Sequence, residues 1–306
     1  MQKQKTLEQP VEISGIGLHS GRFIEVTLMP APAGHGIMFK RTDIKDRKST
    51  IPAHIDYAVS RRLCTRIENE DGVGVNTIEH FMAAFHGLGI DNLHIEIDGA
   101  EMPILDGSSA HIAEMIMQAG LIEQDAEKQM LVITQNIELV TEQGIAMTLS
   151  PCDGLELDVD IDFPDRAIGK QHMHYTHSED GFSEELSSAR TFCMMRDVEA
   201  MRSSGLGQGG SLDNAVVVEN GRVLNSDGLR FPDEFVRHKV LDCLGDLFLL
   251  GMGLKARISV SRPGHAASTE LLKQLKLRPD VFQITGKPAQ PAPSFALPET
   301  AVAAQA

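Results

Sequence analysis

The sequence has no tryptophan and only two tyrosines among its 306 residues. Its core must therefore be built from Ile, Leu, Val, Met and Phe. Cysteine is also scarce: Cys64, Cys152, Cys193 and Cys243 are scattered, with no Cys-x-x-Cys pair. That spacing suits reduced thiols in a cytoplasm and argues against a zinc ribbon or a disulfide framework. No run of about 18 apolar residues occurs, so no membrane span is predicted. The opening MQKQKTLEQPVEISG lacks the apolar stretch of a secretory signal. Basic residues are outnumbered, 28 Lys and Arg against 43 Asp and Glu, for a net charge of −15. An acidic surface repels phosphate backbones, which argues against nucleic acid as a partner. A phosphorylated small substrate would need a local group of Lys and Arg.

What is present is the composition of an ordinary globular protein, 42% hydrophobic and 23% charged. Arg22 to Met29 and Gly36 to Arg41 read as strands, and Leu93, Ile95 and Ile97 alternate with polar residues before the Asp98-Gly99 turn. One helix is predicted from Asn76-Thr77 to the glycines Gly87 and Gly89. Another runs from about Ser109 to Gln118 and stops at Gly120. The polar stretch Glu123 to Lys128 reads as a linker, after which the pattern begins again. Leu155, Leu157, Val159 and Ile161 alternate with acidic residues as a half-exposed strand. Helices follow near 194–203, 234–250 and 267–275, with a strand from Lys255 to Ser261. The expectation is an α+β protein of two similar domains, 1–125 and 126–286, each a mainly antiparallel sheet packed with helices. A Pro- and Ala-rich tail, 287–306, follows and is read as mobile.

The segment Asp233 to Gly251 (DEFVRHKVLDCLGDLFLLG) is the most informative. His238, Asp242 and Asp246 are spaced i, i+4, i+8, one turn apart on one side of an otherwise apolar helix. His and Asp at that spacing can reach one metal ion, or can simply hydrogen-bond on a wet face. Apolar surroundings favour the metal, because buried ionisable groups need a compensating partner. A catalytic zinc takes three protein ligands and leaves one position open. The third ligand is best sought at His80, beside Glu79 in the first turn of an amphipathic helix. Glu79 also has a plainer role open to it, closing a capping box with Asn76. His86 points to another side. His172, His174 and His177 form a rival cluster, but with no carboxylate placed as a base it reads as an exposed strand.

Together these pieces resemble one family, the zinc-dependent UDP-3-O-acyl-N-acetylglucosamine deacetylases of lipid A biosynthesis. In the first half the matching segments are GIGLHS (15–20), Leu63-Cys64-Thr65, TIEH (77–80), GLGIDN (87–92) and PILDGS (103–108). In the second half they are ARTF (189–192), GGSL (209–212), LNSDGLRFPDEF (224–235), VRHKVLDCLGD (236–246) and Gly264-His265. The resemblance implies two domains with a small insert in each and the active site between them. It implies hydrolysis of an N-acetyl group from a UDP-linked acylated glucosamine, the committed step of lipid A synthesis, by a cytoplasmic monomer with at most transient contact with a membrane surface. One Zn²⁺ would be held by His80, His238 and Asp242. Glu79 would be the general base and Thr191 an oxyanion donor. His265 would be an imidazolium supported by Asp246, and Lys239 a cation at the site. The proton for the leaving amine comes from His265 or from Glu79. For the substrate, the resemblance implies contacts from Leu18, His19 and Leu63, and from Lys239 and Arg262 to the diphosphate. Phe163 would stack on uracil and Phe192 on the sugar, while Met195, Gly210, Ser211 and Val217 would line an acyl passage with Leu18. One departure stands out: the family pattern has a lysine in the turn that here reads Thr141-Glu142-Gln143-Gly144-Ile145-Ala146. A different class of reading is a non-catalytic zinc protein whose metal clamps two domains. The absence of HExxH argues against a metalloprotease.

Overall fold

The structure is a computed structural model in which residues 2–59, 61 and 63–287 are described. The tail expected at the C-terminus lies, from residue 288 on, outside the described residues. In chain order the first half contains β1 (Lys3–Leu7), β2 (Val11–Ile16), β3 (Phe23–Pro30), β4 (Ile37–Arg41) and β5 (Thr50–Pro52). Then come β6 (Ala58–Val59), β7 (Arg66–Glu68), β8 (Gly74–Asn76), helix α1 (Glu79–Gly87), β9 (Leu93–Ile97), α2 (Ala110–Ala119) and β10 (Leu121–Glu127). The second half opens with β11 (Met130–Ile133), β12 (Ile137–Val140), β13 (Ala146–Ser150), β14 (Leu155–Asp162) and β15 (Lys170–Thr176). The single turn α3 (Glu179–Gly181), β16 (Phe192–Met194), α4 (Met195–Ser203), β17 (Val216–Glu219) and β18 (Arg222–Val223) follow. The half ends with α5 (Glu234–Leu247), β19 (Gly253–Ser261), α6 (His265–Lys276) and β20 (Phe282–Thr285).

This is the expected α+β architecture. The first half builds a five-stranded sheet in the order β2-β3-β9-β4-β5, antiparallel except for β4 beside β9. The second builds a seven-stranded sheet around β19, which runs antiparallel to β13 and parallel to β11 and β14. Alternation decides which face each strand buries. Leu155, Leu157, Val159 and Ile161 of β14 point inward, while the acidic residues between them sit on the outer side. Each half also carries a small three-stranded sheet, β6-β7-β8 in the first and β16-β17-β18 in the second.

The helices α1 and α5 pack against each other, and α5 also packs on β14 and β15 of the second half's larger sheet. All nine residues of α1 are buried, so no face of it meets solvent and its polar residues Glu79, His80 and His86 are enclosed along with the apolar ones. Their approach is very close at Gly245. A Cβ there would stand 2.2 Å from the Glu79 carbonyl oxygen and 3.0 Å from the Ala83 nitrogen. Gly120 ends α2 with φ of +80°, as its position after the apolar run predicted.

Two sequence expectations fail. Glu123 to Lys128 is not a linker, because Leu121–Glu127 forms β10 and pairs antiparallel with β1. That ribbon is joined by backbone pairing with charged residues opposite one another, and Lys3 meets Asp125 at 2.6 Å, so β10 shows no apolar alternation. The capping box at Asn76 does not form either. Thr77 turns the chain at φ of +56°, the helix starts at Glu79, and the Asn76 side chain accepts from Arg66 (3.0 Å).

Candidate active site

The site begins with the way α1 starts. Leu63 and Thr77 both hold positive φ, 67° and 56°, a conformation costing about 1–3 kcal/mol for a residue with a side chain. Buried Glu101 stabilises this arrangement: it accepts from the backbone N–H of His19 (2.7 Å), from that of Ser20 (2.8 Å) and from the Thr77 hydroxyl (3.2 Å). The abrupt turn leaves Glu79 and His80 as the first residues of α1, facing α5.

On α5, His238 and Asp242 stand one turn apart. Asp242 Oδ1 lies 3.3 Å from His238 Nε2 and 3.7 Å from His80 Nε2. One ligand atom from each of these three residues lies within 4.8 Å of the others, the one such group of His, Cys, Asp or Glu among the described residues. His238 Nδ1 donates to the carbonyl of Ala189 (3.0 Å), which leaves Nε2 as the unprotonated nitrogen facing Asp242. Burial pushes the His80 imidazole down to about 3, helped by neighbouring His238, so its lone pair is free at neutral pH. Burial favours neutral Asp242, but the cations around it, Lys239 among them, outweigh this and hold the carboxyl well below its usual range. Its Oδ1 is nonetheless buried without a hydrogen-bond partner. A buried, unpaired carboxylate oxygen facing two imidazole nitrogens is a strong sign that a cation belongs there.

A second group stands beside this one. Glu79 Oε2 accepts from the backbone N–H of Thr65 (3.0 Å), and its Oε1 lies 3.8 Å from His265 Nε2. Burial raises the Glu79 carboxyl to about 7, against the opposing pull of His265. His265 opens α6, and its Nδ1 donates to Asp246 Oδ2 (3.1 Å). The Thr65 hydroxyl donates to the other oxygen of Asp246 (2.5 Å). Burial would lower the His265 imidazole, but the carboxylates of Asp246, Glu79 and Asp242 overcome it and raise it to about 10. One buried carboxyl is thus made more basic, and one imidazole is held charged, within 4 Å of each other.

These groups line a cavity of about 940 Å³. Its wall includes Leu18, His19, Leu63, Phe163, Thr191, Phe192, Met195, Gly210, Ser211, Val217 and Lys239, together with Glu79, His80, His238, Asp242 and His265. Phe163 and Phe192 meet edge to face at 5.3 Å, and Lys239 Nζ lies 5.6 Å from the Phe192 ring while donating to Asp242 Oδ2 (2.8 Å). Asp246 lines a small void behind His265. Arg262 is not among the residues of the cavity wall, and its guanidinium pairs with Asp162 at 2.7 Å. Sequence reasoning gave no role to Thr65 or Glu101. Thr65 had a signal, its place in the Leu63-Cys64-Thr65 segment; Glu101 had none. The rival histidines do not assemble. His172 and His174 are exposed and pair with Asp160 (3.1 Å) and Asp158 (2.8 Å), so carboxylates do stand beside them, while His177 packs against His86. His86 itself stacks on Phe248 at 4.7 Å and bonds the Leu244 carbonyl.

The sequence profile of the UDP-3-O-acyl N-acetylglycosamine deacetylase family matches residues 4–277. The chain belongs to this family. It is 44% identical over 281 residues to the UDP-3-O-acyl-N-acetylglucosamine deacetylase of Myxococcus xanthus, covering 92% of this chain and 88% of that one. It is 41% identical over 288 residues to the enzyme of that name from Chromobacterium violaceum, covering 92% of each chain. It is also 41% identical over 303 residues to the one from Shewanella woodyi, covering 98% of each. Among the described residues, no helix of this deacetylase-family chain is long and apolar enough to cross a membrane. All four of its cysteines are free.

Proposed function

We propose that the protein hydrolyses the N-acetyl group of a UDP-linked, 3-O-acylated N-acetylglucosamine, releasing acetate and the free amine, as the committed step of lipid A synthesis in the cytoplasm. The observation that carries this reading is the orphaned Asp242 Oδ1 beside the His80 and His238 nitrogens, with Glu79 and His265 at its side. Two imidazoles and one carboxylate suit zinc with a position left open. Bound there, the ion would lower the pKa of water to about 7 and polarise the amide carbonyl.

The chain's own groups supply the remaining chemistry. Glu79, as carboxylate, accepts the proton of the attacking water, and its own bond to the Thr65 N–H keeps it oriented. The Thr191 hydroxyl donates to the oxygen that gains charge as the carbonyl carbon becomes tetrahedral. His265, held charged by Asp246, stabilises that charge and gives its Nε2 proton to the leaving nitrogen. Phe163 and Phe192 receive the uracil and the sugar, and the apolar wall from Leu18 to Val217 receives the acyl chain.

The test is acetate release from the UDP-linked substrate by purified protein, with and without a zinc chelator. Release that the chelator abolishes and zinc restores is expected. No release from folded, zinc-loaded protein would instead leave a metal that only ties the two halves together.

A further inference from the structure

The deacetylase reading brings two phosphates into a protein of net charge −15. The acetamido nitrogen sits on C2 of the sugar, next to the C1 that carries the diphosphate. Those phosphates therefore lie close to the reacting amide and inside the same cavity. Besides its histidines, of which His265 is held charged, the cavity wall includes three Lys or Arg side chains, Arg61, Arg202 and Lys239. Lys239 is already paired with Asp242 at 2.8 Å. Arg202 closes α4 amid the apolar passage, where it donates to the Gly210 carbonyl. Arg262, outside the wall, is neutralised by Asp162. Arg61 is exposed, lines the cavity, and makes no ion pair or hydrogen bond among the described residues.

The position of Arg61 follows from α6. Lys273 of α6 donates to the carbonyl of Ala58, three residues before Arg61 (2.8 Å). Glu270, one turn earlier, accepts from the backbone N–H of Glu142, next to Gln143 (2.8 Å). The same helix begins with His265, about 7.5 Å along the axis from Glu270 at 1.5 Å per residue. Arg61 and Gln143, both in the cavity wall, therefore rise from segments fixed to adjacent turns of the helix that carries the catalytic imidazole. Gln143 belongs to the turn that lacks a cation in this sequence.

We propose that Arg61 is a binding residue for the substrate's diphosphate, the free guanidinium that offsets a 141–146 turn with no Lys or Arg and with the acidic Glu142. A guanidinium is suited to this task because it offers planar, paired donors to phosphate oxygens. The proposal rests on the deacetylase reading, and its test separates the two. Calorimetric titration of zinc-loaded protein with UDP and with uridine needs no turnover. Arg61→Ala is expected to weaken UDP about tenfold, leave uridine unchanged, and raise KM by a similar factor with kcat within about twofold. Arg61→Lys is expected to recover part of the loss. UDP binding equal to that of the parent protein overturns the proposal, as does an equal loss for UDP and uridine. Failure of the parent protein to release acetate tells against the deacetylase reading alone.

Discussion

At the scale of single residues, the proposed mechanism separates metal holding from proton transfer. Glu79 is adjacent to His80 in sequence, yet its carboxylate engages Thr65 and faces His265 rather than completing the His80, His238, Asp242 group. Glu79→Gln is therefore expected to retain one zinc per chain, read by elemental analysis, while kcat falls by on the order of 10² to 10⁴. His238→Ala removes a ligand and is expected to lose both metal and activity. The pH profile follows from which form acts. On the proposed mechanism Glu79 acts deprotonated, so activity is expected to be lost as pH falls through its pKa. That value is raised by burial to about 7 without a cation, and a bound cation moves it down. On the same mechanism His265 acts protonated, so activity is expected to be lost as pH rises through a value raised to about 10. Asp246→Asn removes a carboxylate that keeps it high, so the basic limb of kcat/KM is expected to move to lower pH. An unchanged limb would remove Asp246 from that role.

At the scale of elements, the two helices that bear the proposed ligands touch through a residue without a side chain. Gly245→Ala would ordinarily favour a helix by about 1 kcal/mol. Here the added methyl meets the backbone of Glu79 and Ala83, as overpacking does elsewhere at about 1–3 kcal/mol. The expected result is a lower urea midpoint together with weaker zinc binding, since α1 and α5 are forced apart at the site. Much at this scale was legible in the sequence. The alternation of β14, the Gly120 stop and the His238–Asp242–Asp246 stripe depend on neighbours within a few positions. Features set by distant partners were not legible. β10 is a strand because β1, over a hundred residues earlier, pairs with it. Glu79 escapes its capping box because Glu101 and a strained Thr77 reset the start of α1. Arg262 looked free in sequence and meets Asp162 only in the folded chain.

At the scale of the whole molecule, the proposed ligands His80, His238 and Asp242 come from both halves of the chain, so an ion bound there would stabilise the assembled state. A ligand at 100 times its dissociation constant adds about 2.7 kcal/mol. For a chain of this size, chelation is expected to lower Tm by roughly 5–10 °C, and readdition of zinc to restore it, in differential scanning calorimetry. Loss of activity without any change in Tm would argue that the ion does not bridge the halves. The same division has a consequence in time. Helix α1 is buried on every side in the folded chain, and its partner α5 begins only at Glu234. During synthesis at about 5–20 residues per second, the roughly 150 residues between them take on the order of ten to thirty seconds to appear. For that interval each nascent chain carries a helix built to be enclosed on every side, whose cover has not yet been made. Ribosome-bound chains halted before residue 234 are the ones expected to recruit chaperones.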